Sequence, residues 1–122
     1  MVRAMINCNY SAVTAACMLT KKELFLQVGG FDEQFVVACN DVDYCLQLRS
    51  LDKLIVYNAF AEWYHYESKS RGYEDTPEKL ARFENEVKKF QKKWPEILEK
   101  GDPFYNLISL SHRHHLLWGK TD

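Results

Sequence analysis

Two carboxylates separated by one residue, Asp41 and Asp43, stand immediately after Asn40 in the stretch GGFDEQFVVACNDVDYCLQLR, residues 29–49. Two glycines break the chain before them, and a run rich in aromatic and small residues leads into a new helical pattern. A carboxylate at the mouth of a helix, approached by a constrained loop, suits chemistry on a bound ligand. The helix N-terminus favours its ionised form. Spacing alone equally allows Asp41 to do no more than complement the helix dipole. Asp41-Val42-Asp43 spells the D-x-D pattern of cation sites, but positions i and i+2 of a helix do not share a face. Asp43 is therefore expected at the surface or paired with a partner. His65 could ligate manganese or magnesium only beside carboxylates, and a hydrogen-bonded structural role suits it as well. Arg71 could contact a phosphate or stand solvated in its loop. Trp63 and Tyr64 could line a ligand groove, although rings alternating along a strand usually fill a core. His112, His114 and His115 read as a tail able to bind adventitious metal.

The elements that position these residues follow in order. Residues 11–19, SAVTAACML, are small and apolar with early β-branching and predict a buried strand. Thr20-Lys21-Lys22-Glu23 spells a capping box. Leu24, Phe25 and Val28 form the buried face of the short helix it opens, and Gly29 ends that helix in the left-handed conformation. Asn40 is an N-cap type, opening a helix to about Leu51 with Val42, Cys45, Leu46 and Arg49 on one stripe. Asp52 takes the left-handed position after it. Leu54-Ile55-Val56-Tyr57 predicts a buried strand. Residues 60–66 alternate, with Ala61, Trp63 and His65 on one side, which places His65 at a strand end before a polar loop over 67–75. Thr76 caps and Pro77 starts the longest helix, near 77–94, whose stripe is Leu80, Phe83, Val87, Phe90 and Trp94. Pro95 disrupts it, Asp102-Pro103 marks a turn, and 107–122 are weakly patterned.

A length of 122 residues is one domain's worth. Hydrophobic residues at 47% and charged residues at 27% are ordinary for a globular chain. A net charge of −1 implies neither nucleic acid nor an anionic membrane as partner. Cys8, Cys17, Cys39 and Cys45 lack metal-type spacing, so free thiols in a reducing compartment are expected. No apolar run is long enough to span a bilayer, and a cytoplasmic location is expected.

Several motifs in order carry a resemblance: SAVTAACML before a charged helix, VGGFDE, the NDVDYC helix, YHYESKSRG, EDTPEK opening a helix that ends in Trp, and DPFYN. Together they cover about residues 10–105 and resemble the acceptor-side part of family-two glycosyltransferases of the GT-A fold, near those that build bacterial surface polysaccharides or transfer rhamnose. The resemblance implies an α/β, partial GT-A (Rossmann-like) fold, with a few strands packed on about three helices. Residues 1–106 would form the C-terminal part of the catalytic domain and 107–122 a tail.

It also implies transfer of a sugar, of hexosyltransferase type, from a nucleotide-sugar donor to a glycan hydroxyl. Asp41 would be the base, His65 would help hold a metal-bound diphosphate, and Arg71 and Trp63 would touch substrate. In the family a preceding nucleotide-binding half carries the D-x-D motif. Nothing in this sequence supplies it, so the chain is expected to be inactive alone and to bind no Mn or Mg ion by itself. A homodimer and a membrane-peripheral complete enzyme are further expectations. The sequence departs from the family in lacking a glycine near Asp52 and a proline near Ala59, and in carrying Leu107-Ile108 after Asn106. Gln47 and Arg49 fall loosely where processive relatives carry a Gln-rich Arg-Trp motif, but no Trp follows Arg49. The rival reading is a non-catalytic module that binds protein or glycan.

Overall fold

The computed structural model describes residues 6–64, 66 and 76–103. Within them β1 (Cys8–Tyr10) pairs antiparallel with β2 (Ile55–Tyr57), in the register Cys8↔Tyr57, Asn9↔Val56 and Tyr10↔Ile55. A 3-10 turn spans Ala15–Cys17, and four helices follow the chain: α1 (Lys22–Gln27), α2 (Asn40–Ser50), α3 (Pro77–Lys93) and α4 (Pro95–Lys100). This mixture of helices with a small sheet is compatible with the α/β class.

α2 is the centre of the packing. On one side Leu46 joins Phe35, Cys39 and Phe90, backed by Val87 of α3, Trp94 at the α3–α4 junction and Ile97 of α4. On the other, Tyr44, Cys45 and Leu48 meet Ile55, backed by Leu24, Phe25 and Val28. The expected single stripe is thus corrected to burial on two sides. Apolar spacing under-reports it because Asp43 and Tyr44 are also fully enclosed, each with polar partners brought by other elements.

Local chemistry explains where the chain turns. After α1 the Gly30 N–H donates to the Phe25 carbonyl and the Gly29 N–H to the Leu26 carbonyl, the paired bonds of a Schellman motif. Both glycines have positive φ, 82° and 78°. Asp52 takes the left-handed position after α2, with φ 57°. Thr76 caps α3 by accepting from the Lys79 N–H at 3.3 Å, with Pro77 in the first turn.

Four expectations are corrected. Residues 11–19 form no strand, and the strand lies just before them at Cys8–Tyr10. Their polar groups are used elsewhere: Ser11 Oγ accepts from Arg49 and donates to Asp102, and the Ala15 N–H donates to Asp41. The capping box does not form, because the Thr20 hydroxyl shares a 2.7 Å hydrogen bond with the Tyr44 hydroxyl and Lys21 precedes α1 without a side-chain cap. Residues 60–64 and 66 are not a strand either. Asn58 accepts from the Phe60 N–H in a tight turn, and Phe60, Trp63, Tyr64 and Tyr66 are exposed rather than core. Pro95 does more than end α3: it starts α4, a fourth helix, where its missing N–H costs nothing.

Candidate functional site

The loop into α2 is held at several points. Phe31 packs edge-on to Phe25 and Tyr44, with ring centroids 5.6 and 5.3 Å apart. Asp32 accepts from the Gln34 side chain and from Lys93 Nζ, both at 2.7 Å. Phe35 enters the core, and Cys39 then adopts a left-handed φ of 64°. α2 starts at Asn40, one residue earlier than the N-cap role read for it, and Asn40 Oδ1 accepts from the Asp41 N–H.

Asp41 sits half-buried in the first turn of α2. Its Oδ2 accepts from the Ala15 N–H at 3.1 Å and its Oδ1 from the Val42 N–H at 2.9 Å. The carboxylate is thereby oriented toward the 12–16 segment by neutral amides. A carboxylate fixed this way can accept a proton from a hydroxyl lying against the helix mouth.

Asp43 points the other way and is 0% exposed. It accepts from Trp94 Nε1 at 2.8 Å, Gln47 Nε2 at 2.7 Å and Lys93 Nζ at 2.8 Å. Pairing rather than a surface role is its state. Its charge is neutralised between α2 and α3, and it is not offered to a ligand. Lys93 bridges Asp43 to Asp32, so one ammonium fastens both the 29–39 loop and α2 to the end of α3.

Asp41 and Asp43 thus diverge. Among the described residues no group of three or more His, Cys, Asp or Glu side chains could hold a metal ion. The described residues alone do not fit a divalent-cation site. His65 and Arg71 lie outside the described residues. Trp63 is 74% exposed in the segment after β2, apart from the hydrogen bonds that orient Asp41. A groove between the C-terminal half of α2 and the α3–α4 corner is lined by Leu46, Arg49, Trp94, Ile97 and Lys100, and Asp41 does not line it.

The cysteines are free. Burial, with Glu86, Asp41 and Asp43 adding to it, pushes the Cys39 thiol up to about 11, and burial raises Cys45. Neither is a poised nucleophile.

Sequence reasoning missed Glu86, which is 2% exposed and accepts from the backbone of residues 36–38. A signal for it exists: Glu86 falls three after Phe83 and four before Phe90, on the apolar stripe of α3.

No family model and no solved structure matches the chain. It is 50% identical over 99 residues, 80% of its length, to the uncharacterized protein y4gI of Sinorhizobium fredii. It is 36% identical over 98 residues, again 80% of its length, to the O-antigen biosynthesis protein RfbC of Myxococcus xanthus. Over 60 residues, 49% of its length, it is 37% identical to the N-acetylglucosaminyl-diphospho-decaprenol L-rhamnosyltransferase of Mycobacterium tuberculosis. The chain spans only 11%, 7% and 20% of the lengths of these three relatives. The two relatives with functional names support a glycosyltransferase-like family. No helix among the described residues is long and apolar enough to cross a membrane.

Proposed function

We propose that this chain is the acceptor-side part of a family-two, GT-A-type glycosyltransferase. In the complete enzyme it serves transfer of a sugar from a nucleotide-sugar donor to a hydroxyl of a bacterial surface glycan. The observation that carries the reading is Asp41, a carboxylate held by the Ala15 amide at the mouth of α2, in a chain similar to an O-antigen biosynthesis protein and a rhamnosyltransferase. As the acceptor oxygen attacks the anomeric carbon, Asp41 takes its proton. The new C–O bond forms on the face opposite the departing nucleoside diphosphate, whose C–O bond breaks with both electrons leaving on the phosphate oxygen. A Mn or Mg ion for the donor diphosphate would belong to the complete enzyme, where His65 would supply one ligand beside carboxylates from the rest of that enzyme. Arg71 contacts the donor phosphate and Trp63 the acceptor. The complete enzyme works at the cytoplasmic side of a membrane.

A second reading, a non-catalytic module for glycan or protein, is favoured by the exposure of Phe60, Trp63, Tyr64 and Tyr66. Turnover separates the two. In the complete enzyme Asp41→Asn keeps the shape of the side chain but cannot take a proton, so kcat should fall by roughly 10²- to 10⁴-fold with donor binding retained. Asp43→Asn should instead weaken the fold, by about 1.5–3 kcal/mol for a lost charge-assisted bond, and spare the chemistry of the folded fraction. An active Asp41→Asn beside a folded, inactive Asp43→Asn rejects Asp41 as the base.

A further inference from the structure

Glu86 presents a charged acceptor to three consecutive amides. Its Oε1 accepts from the Val36 N–H at 3.2 Å, and its Oε2 from the Val37 N–H at 3.3 Å and the Ala38 N–H at 2.6 Å. The carboxylate comes from the middle of α3 and is enclosed, with Arg82 Nε of the same helix 4.0 Å away. The residue after this clamp is Cys39, one of two non-glycine residues with positive φ among those described. A residue with a Cβ resists that conformation, so its neighbours must hold it there. Its thiol side packs with Phe35, Leu46 and Phe90. Its carbonyl accepts from the Asp43 N–H at 2.8 Å, the first bond of α2. Two positions further on is Asp41.

We infer that Glu86 is a positioning residue for Asp41: by gathering the 36–38 amides it locks Cys39 in the left-handed conformation, which fixes where α2 begins and where the Asp41 carboxylate points. This rests on the proposal that Asp41 is the base, but the coupling itself is a property of the fold. Only an ionised carboxylate offers acceptors alone to three donors. Glutamine would turn an NH₂ donor toward at least one of them.

The chain itself provides the test. Asp41→Asn should move the Ala15 amide resonance, because the two are hydrogen-bonded, and the size of that movement is the Ala15 response. In Glu86→Gln, amide exchange at residues 36–38 should quicken about tenfold or more, and the Ala15 response should collapse although the Ala15 amide donates to Asp41 and not to Glu86. Adding Cys39→Gly, which takes positive φ without strain, should restore much of the Ala15 response in the Glu86→Gln background. Should Glu86→Gln fail to fold, Glu86→Asp, charged but one methylene short, should give the same effects in smaller measure. An intact Ala15 response with quickened exchange at 36–38 overturns the inference, leaving Glu86 a local brace. So does a collapse that Cys39→Gly does not relieve.

In the complete enzyme, Glu86→Gln should lower kcat on the order of 10- to 100-fold with donor KM unchanged, and add little to Asp41→Asn. If Asp41→Asn itself leaves kcat intact, the catalytic reading fails, while the resonance experiment still decides the coupling.

Discussion

Lys93 carries one ammonium between two carboxylates, Asp32 Oδ2 at 2.7 Å and Asp43 Oδ1 at 2.8 Å. The Lys93 hydrogen bond draws Asp32 down from 3.8 to about 2, outweighing burial, with Gln34 assisting. Burial pulls against the charge of Lys93, yet its bonds to Asp32 and Asp43 leave it raised above 10.5. A depressed carboxylate contributes stability that is present above its unfolded value of 3.8 and lost as pH falls through about 2. A raised lysine contributes stability that is present below 10.5 and lost as pH climbs through its folded value. Urea unfolding followed across the acid range should therefore show the parent losing stability between 3.8 and about 2. Lys93→Met should have a shallower acid slope over the same interval, and equal slopes would deny the pairing. The divergence of Asp41 and Asp43 was legible in the sequence, since helical spacing alone sets them on different faces. The depth of Asp43 was not, because Lys93 and Trp94 are some fifty positions away in the chain. Glu86 was legible in principle: a charge on an apolar stripe asks for a buried partner.

The helix ends that were read well have local determinants, whereas the capping box at Thr20 fails because the distant Tyr44 takes its hydroxyl. Thr76, Pro77 and the Gly29-Gly30 pair act through bonds to residues only a few positions away. Strands were read less evenly: the apolar run at residues 54–57 does give β2, whereas residues 11–19 and the described part of 60–66 are not strands. The early β-branched residues of 11–19 and the alternating rings of 60–66 suggest strands, but pairing depends on a partner that composition does not reveal. β1 found its partner in β2, across α1 and α2. Gly29 and Gly30 share positive φ but not surroundings, and their substitutions should separate. A Cβ at Gly29 meets nothing within 4 Å, whereas one at Gly30 lies 3.0 Å from Phe25 Cζ. Either alanine should cost about 1–2 kcal/mol for the left-handed backbone. Gly30→Ala should add roughly 1–3 kcal/mol for crowding the Phe25 ring. Denaturant midpoints of the two variants check the order, and equal losses would mean that the ring moves aside freely.

At the scale of the molecule, much apolar surface faces outward. Leu19 is fully exposed, and Phe60, Trp63, Tyr64 and Tyr66 range from 73% to 94% exposed. Such surface in a chain with a two-stranded sheet favours association with a second copy, most simply as a symmetric pair. Light scattering should show mass rising with concentration toward a dimer, and a constant monomer mass over a wide range would count against it. The mixed α and β character was legible from the helical stripe of α3 and the apolar run at residues 54–57, whereas the placement of the aromatic segment at the surface was not. The junction of Arg49, Ser11 and Asp102 has a mechanical consequence. Ser11 and Asp102 lie near opposite limits of the described chain yet are hydrogen-bonded, and Arg49 ties Ser11 to the end of α2. Tension applied through these two points would load that polar latch before any helix was stretched, so a pulled molecule would yield there first, and its core would remain intact.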